Sequence, residues 1–302
     1  MQTNHLSRRQ FLERSAAAAG GLLLSSCASA PPPAVAKRTA ADQVALGNTG
    51  LKLSRLGFGT GSNSGNVQHA LGQEEFNRLI RYAYDQGITF FDCAQSYRTY
   101  EWLGAAIKGL PREKLFIQSK VSGKPENILE AIDHQRQVLD TDYVDSLLVH
   151  CMVKDGWTDD YKRILEGFDQ AKEKKWILAK GVSCHSLPAL RAATASDWTE
   201  VHLVRVNPQG KYIDGMDQTW DKPGSDLSPV LAQLRAMHAK GRGVIGMKII
   251  GNGEFLRPED RDMSIRYAMS RPELSAVVIG FKSTEEIDEA VRRVNAALLD
   301  VD

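Results

Sequence analysis

Short apolar runs alternate along the chain with stretches whose apolar residues recur at the spacing of one helix face. The runs fall at residues 56–60, 88–91, 114–120, 143–150, 177–183, 201–206, 243–248 and 276–280, too brief for helices and bounded by turn residues. Between them, helices are predicted at 73–86, where Phe76, Leu79, Ile80 and Ala83 share a face, and at 100–108, 125–139, 160–175, 187–195, 227–240, 259–270 and 284–299. Alternation without a break argues for a closed parallel barrel of the α/β class, the (β/α)8 TIM barrel. Ahead of it, residues 44–53 hold two short runs around Gly47, Asn48 and Gly50, which predicts an N-terminal β-hairpin.

Three successive strands close on polar groups. The run 88–91 delivers Asp92 and then Tyr97, the run 114–120 ends on Lys120, and the run 143–150 ends on His150. A phenol is a poor acid, with a pKa of about 10, so proton work near neutrality needs a cation beside it. Lys120 is that cation if the strands are neighbours, and parallel strands of one barrel present their ends on one rim. The run from Phe91 through Asp92, Tyr97, Glu101, Leu103 and Gly104, followed by Ser119, Lys120, Leu147, Leu148 and His150, resembles the aldo-keto reductase family from about Val44 to the C-terminus. The resemblance implies that Tyr97 protonates a carbonyl oxygen, that Lys120 and Asp92 tune it, and that His150 orients the substrate.

Length and composition narrow the picture. The chain has 302 residues, enough for one barrel of about 250 plus an extension, with no second domain to place. A formal net charge of +1 shows no basic excess and argues against nucleic acid as a partner. Four cysteines, Cys27, Cys93, Cys151 and Cys184, show no metal-ligand spacing, so neither a structural metal nor a disulfide framework is expected. Cys93 and Cys151 follow the polar strand ends, and strand alternation is expected to turn both away from the pocket. At the N-terminus, Ser7, Arg8, Arg9, Gln10, Phe11 and Leu12 resemble a twin-arginine export motif, with Glu13 a small departure. A weakly apolar run then leads to Leu24, Ser25, Ser26 and Cys27, similar to a bacterial lipoprotein box. This division predicts a signal peptide over 1–26, a Pro-rich tether over 27–43 with lipid on Cys27, and the barrel over 44–302. The implied location is the periplasm or cell envelope, with the twin-arginine machinery as export partner and the lipid as the membrane contact.

Reduction needs a hydride donor that no side chain provides, so a nicotinamide cofactor is expected, NADP(H) by family and NAD(H) as the alternative. Gly59 and Thr60 end a glycine-containing strand that lets a ligand approach the backbone. By resemblance, Ser183 and Cys184 fall at the carboxamide site, with cysteine where the family has asparagine, and Asn207 is a further nicotinamide-side candidate. Met247, Lys248 and Gly251 fit a loop over the pyrophosphate. Gly280, Lys282, Ser283 and Thr284 open the last helix, whose N-terminus suits a phosphate. Glu289 matches an adenine contact, whereas Glu286 stands where many members carry Arg or Gln, and Ala290 replaces an asparagine. Trp157, Tyr212 and Trp220 are candidate pocket walls, and Trp102 is equally a core residue. The chain's stop at Asp302, soon after the last helix, suggests an open pocket. A monomer is expected. No Tyr-x-x-x-Lys, His-x-His or nucleophile elbow competes with this reading. The function implied is carbonyl and alcohol interconversion on a small substrate. The alternative is a non-catalytic nucleotide-binding barrel acting as a sensor or assembly partner in the envelope.

Overall fold

The computed structural model describes residues 38–300. The twin-arginine stretch, Cys27 and most of the tether lie outside the described residues. Strands β1 (Gln43–Ala45) and β2 (Lys52–Ser54) pair antiparallel, as the turn residues between them require. Eight parallel strands then close a barrel: β3 (Leu56–Gly59), β4 (Phe90–Asp92), β5 (Phe116–Val121), β6 (Val144–Met152), β7 (Ile177–Cys184), β8 (Val201–Arg205), β9 (Gly243–Met247) and β10 (Ala276–Ile279), with β10 pairing both β9 and β3.

Alternation along each strand sorts the core into two layers. Phe90, Phe116, Leu148, Ala179, Val201, Leu203, Ile245, Met247, Ala276 and Val278 fill the barrel, joined by Leu46 and Leu53 of the hairpin. The hairpin therefore closes one end, and Asn48 N–H donates to Gly241 O at 2.8 Å to hold it there. The opposite parity, including Phe58, Phe91, Ile117, Leu147, Val182 and Val204, packs outward against the helices. Those are α1 (Asn66–His69), α2 (Gln73–Asp85), α3 (Tyr100–Ile107), α4 (Ile128–Val138), α5 (Trp157–Asp160), α6 (Lys162–Glu173), α7 (Leu187–Ala195), α8 (Ser228–Ala239), α9 (Pro258–Met269) and α10 (Thr284–Leu299). Phe76, Leu79, Ile80 and Ala83 are all buried, as the periodicity of α2 predicts.

Two local features depart from the sequence reading. The pairing of β6 with β7 slips between Val149 and Met152, and Cys151 takes a positive φ of 63°. Alternation fails at that bulge, so Cys151 is half-buried instead of turned into the outer layer. Cys93 does turn away, buried with Sγ donating to Gln118 O at 3.3 Å. Trp157 is not a pocket wall: it is 1% exposed, sits in the outer core and donates its indole N–H to Ala189 O at 3.2 Å. Trp102 stacks on His69 with ring centres 4.6 Å apart and packs against the core.

Candidate active site

The inward parity of β4, β5 and β6 carries Asp92, Gln118, Lys120 and His150 to the C-terminal opening of the barrel, the end where barrel enzymes place their chemistry. Lys120 is 1% exposed, and its ammonium donates to Asp92 Oδ1 at 2.6 Å and to Cys93 O at 2.8 Å. Gln118 donates to the same Asp92 oxygen at 2.8 Å, so the carboxylate is held from two sides. Thr60 is buried, and both its N–H and its hydroxyl donate to Asp92 O, at 2.9 and 3.1 Å, so it supports the strand end. A tight turn, with Tyr97 N–H donating to Ala94 O at 2.9 Å, brings the phenol back over the rim. The Lys120 ammonium then lies 5.0 Å from the centre of the Tyr97 ring.

His150 stands beside the phenol, edge to face at 5.6 Å between ring centres. Its Nδ1 pairs with Ser122 Oγ at 2.8 Å, and Ser122 donates to Ser96 Oγ at 3.0 Å. Burial, with Lys120 adding to it, pushes His150 down to about 3, so the ring is neutral at physiological pH. Burial raises Tyr97 above its ordinary value, and Lys120 only partly offsets it. Lys120 is itself raised: burial pulls it down, but Asp92, Tyr97 and Cys93 together outweigh that. Lys120 does favour the phenolate, as the sequence leads one to expect, but burial and the charge of Asp92 act against it and leave Tyr97 raised, a phenol that is protonated and able to donate.

Other predicted residues separate into those near the opening and those tied up elsewhere. Ser183 keeps inward parity and accepts a bond from Cys151 N–H at 3.4 Å. Cys184 faces outward into the helix-side core, so it does not take the place of the family's asparagine. Asn207 is buried, with both amide hydrogens given to Lys211 O and Lys248 O and its oxygen accepting from Lys211 N–H, so it clamps two loops and offers no donor to a ligand. Met247 sits at the inner opening, 9% exposed. Lys248 follows it with a φ of 62° and donates to Asn252 Oδ1 at 2.8 Å, beside the turn at Gly251. Ser283 caps α10, whose first residue is Thr284, and Lys282 just before it is exposed. Glu286 accepts from Lys282 N–H at 2.9 Å. Glu289 is held by Arg261 at 2.9 and 3.1 Å and by Arg293 at 2.7 Å, which occupies the acceptors an adenine would use. Tyr212 bonds Glu254 through its hydroxyl, and Trp220 is 67% exposed on the same loop.

Three supporting residues escape sequence reasoning. Gln135 on α4 is buried, accepts from Ser119 Oγ at 2.6 Å and donates to Gln95 Oε1 at 2.9 Å, pinning the Tyr97 turn to β5. Gln118 is the second; it sits two residues before Lys120, so alternation alone could have found it. The third is Gly61, whose absent Cβ would lie 2.4 Å from the Tyr97 ring. Gly61→Ala is therefore expected to displace the phenol, costing about tenfold or more in turnover with a lowered melting temperature. Wild-type rates in that variant would remove Gly61 from the account.

A sequence model of the Aldo/keto reductase family matches residues 55–263. The L-galactose dehydrogenase of Arabidopsis thaliana is 34% identical over 290 residues, 83% of this chain and 87% of that protein. Over shorter alignments the chain spans 35, 62 and 51% of the length of three other curated relatives. The last of these is the NAD/NADP-dependent indole-3-acetaldehyde reductase of Schizosaccharomyces pombe, 42% identical over 152 residues, 45% of this chain. Among solved structures, an aldo-keto reductase from Klebsiella pneumoniae in complex with NADPH superposes with a TM-score of 0.63 at 17% identity, over 85% of this chain and 89% of that one, a likeness of fold. On the family match and the full-length relative together, the chain belongs to the aldo/keto reductase family.

Proposed function

We propose that this protein interconverts a carbonyl and an alcohol on a small substrate, with Tyr97 as the proton donor and acceptor. The observation that carries the reading is the buried Lys120–Asp92 pair, its ammonium 5.0 Å from the centre of the Tyr97 ring, with neutral His150 beside it. A substrate oxygen placed between the phenol and the imidazole is oriented by both, and the protonated phenol gives up its proton as charge builds on that oxygen. The Lys120 ammonium stabilises the phenolate left behind, and Asp92 with Gln118 fixes where that ammonium sits.

The residues around the opening accept a nicotinamide nucleotide. Ser183 and Met247 face inward, Lys248 projects beside the Gly251 turn, and the capped start of α10 with Lys282 suits a phosphate. Bound there, NADP(H) supplies the hydride; the complexes of the Klebsiella pneumoniae reductase with NADPH and NADP support that choice. Glu286 and the paired Glu289 leave the adenosine end less cationic than a 2′-phosphate prefers, which keeps NAD(H) as the second cofactor. The N-terminal sequence supports export as a folded protein through the twin-arginine route, with lipid on Cys27 and the cofactor loaded before export.

Replacing Tyr97 with Phe is expected to lower NADPH-dependent aldehyde turnover by roughly 10²–10⁴, the range for loss of a positioned proton donor. Unchanged turnover would remove the catalytic assignment. In a bacterial host, labelled palmitate is expected on the wild-type protein and absent from Cys27→Ser. An unlabelled, uncleaved protein in the cytoplasm would contradict the envelope assignment.

A further inference from the structure

Across the opening from Tyr97, the ends of β7, β8 and β9 carry a second set of charges that the proton chemistry does not use. Arg205 shares the inward parity of Val201 and Leu203, pairs in register with Met247 and is 4% exposed. Its guanidinium is poorly filled. Nη2 meets Nδ1 of His185, Nε lies 3.5 Å from Asp214 Oδ1 without a hydrogen bond, and Nη1 has no partner. A buried guanidinium with open donors is costly, and a structural arginine would fill that fork with carbonyls or with a bidentate carboxylate.

The surrounding charges point the same way. Lys248 projects from the end of β9 and gives its ammonium to a neutral amide, that of Asn252. Burial, with the charges of Arg205, Lys248 and Lys120 adding to it, holds His185 well below its ordinary value, so the ring beside Arg205 is neutral. Against Lys120, Arg205 and Lys248 stand the acids Asp92 and Asp214, and burial pushes Asp214 up to about 7, so the anionic side is the weaker. Asp214 is buried beside the Nε edge of the guanidinium, and Nη1 is buried with no protein partner.

We propose that Arg205, backed by His185 and flanked by Lys248, seats the carboxylate of the substrate, so that the preferred substrates are short aldehydo or keto acids and the matching hydroxy acids. The assignment rests on the carbonyl-reduction reading above and adds the chemical class of what is reduced. A planar guanidinium suits a carboxylate through two parallel hydrogen bonds, and such a clamp fixes the reacting carbon as well as adding affinity. The same chemistry would hold a cofactor pyrophosphate, and the test separates the two sources.

Succinic semialdehyde and butanal are matched in length and differ in the terminal carboxylate. The wild-type protein with NADPH is expected to favour the acid. In Arg205→Met the ratio of kcat/KM for succinic semialdehyde over butanal is expected to fall by roughly 10–100-fold, the loss of a charge-assisted hydrogen bond, with part of it restored in Arg205→Lys. Succinate binding to the NADP+-loaded protein, read by calorimetry, is expected to weaken by a similar factor of about 10–100. An unchanged ratio with weakened NADPH binding would give Arg205 to the cofactor and overturn the proposal. Where Arg205→Met fails to fold, Arg205→Lys carries the same ratio, and an unchanged ratio there overturns it. A wild-type protein that reduces neither aldehyde defeats the carbonyl reading, whereas succinate bound equally by wild type and Arg205→Lys defeats this one.

Discussion

The ion pair between Lys120 and Asp92 is the interaction on which the site depends. Both side chains are almost wholly withdrawn from water, and removing one partner of such a pair leaves an uncompensated buried charge, a cost of about 3–5 kcal/mol. The barrel meets that cost by crowding the pair with further donors and acceptors: Gln118 on the same carboxylate oxygen, Cys93 O on the ammonium, Thr60 on the strand end. The consequence is electrostatic. Lys120 draws Tyr97 down, Asp92 pushes it up, and burial exceeds either, so the phenol is held in its protonated form.

Barrel geometry explains why these groups meet although they lie in separate β/α units. Strands β4, β5 and β6 are adjacent and parallel, so inward residues at their ends share one opening without any long-range coincidence. The hairpin seals the other end with Leu46 and Leu53, which keeps the interior dry below the charged layer. A low-dielectric floor strengthens every charge interaction above it, including those of Arg205 across the opening.

Much of this is legible in the sequence because periodicity and strand ends are local signals. The strand carrying Lys120 and the helix 187–195 can be placed from spacing alone, and Asp92, Tyr97, Lys120 and His150 stand out as polar groups closing apolar runs. What escapes is set by tertiary packing. Gly61 matters because a ring lies against its missing Cβ, and Gln135 because a helix face happens to meet a turn. Cys151 defeats alternation through a bulge that no residue type announces. Asn207 and Glu289 look available until their partners, Lys211, Lys248, Arg261 and Arg293, arrive from elsewhere in the chain. Arg205 stands out only once packing shows a guanidinium that is buried and incompletely paired.

The electrostatic account turns on the phenol's titration, which ¹³Cζ-tyrosine NMR can follow for Tyr97 in the wild type, Asp92→Asn and Lys120→Met. The account predicts that the Tyr97 midpoint moves down when Asp92 loses its charge, because the ammonium is freed, and up when Lys120 is removed. The same midpoint in all three proteins would show that the ion pair does not govern the phenol.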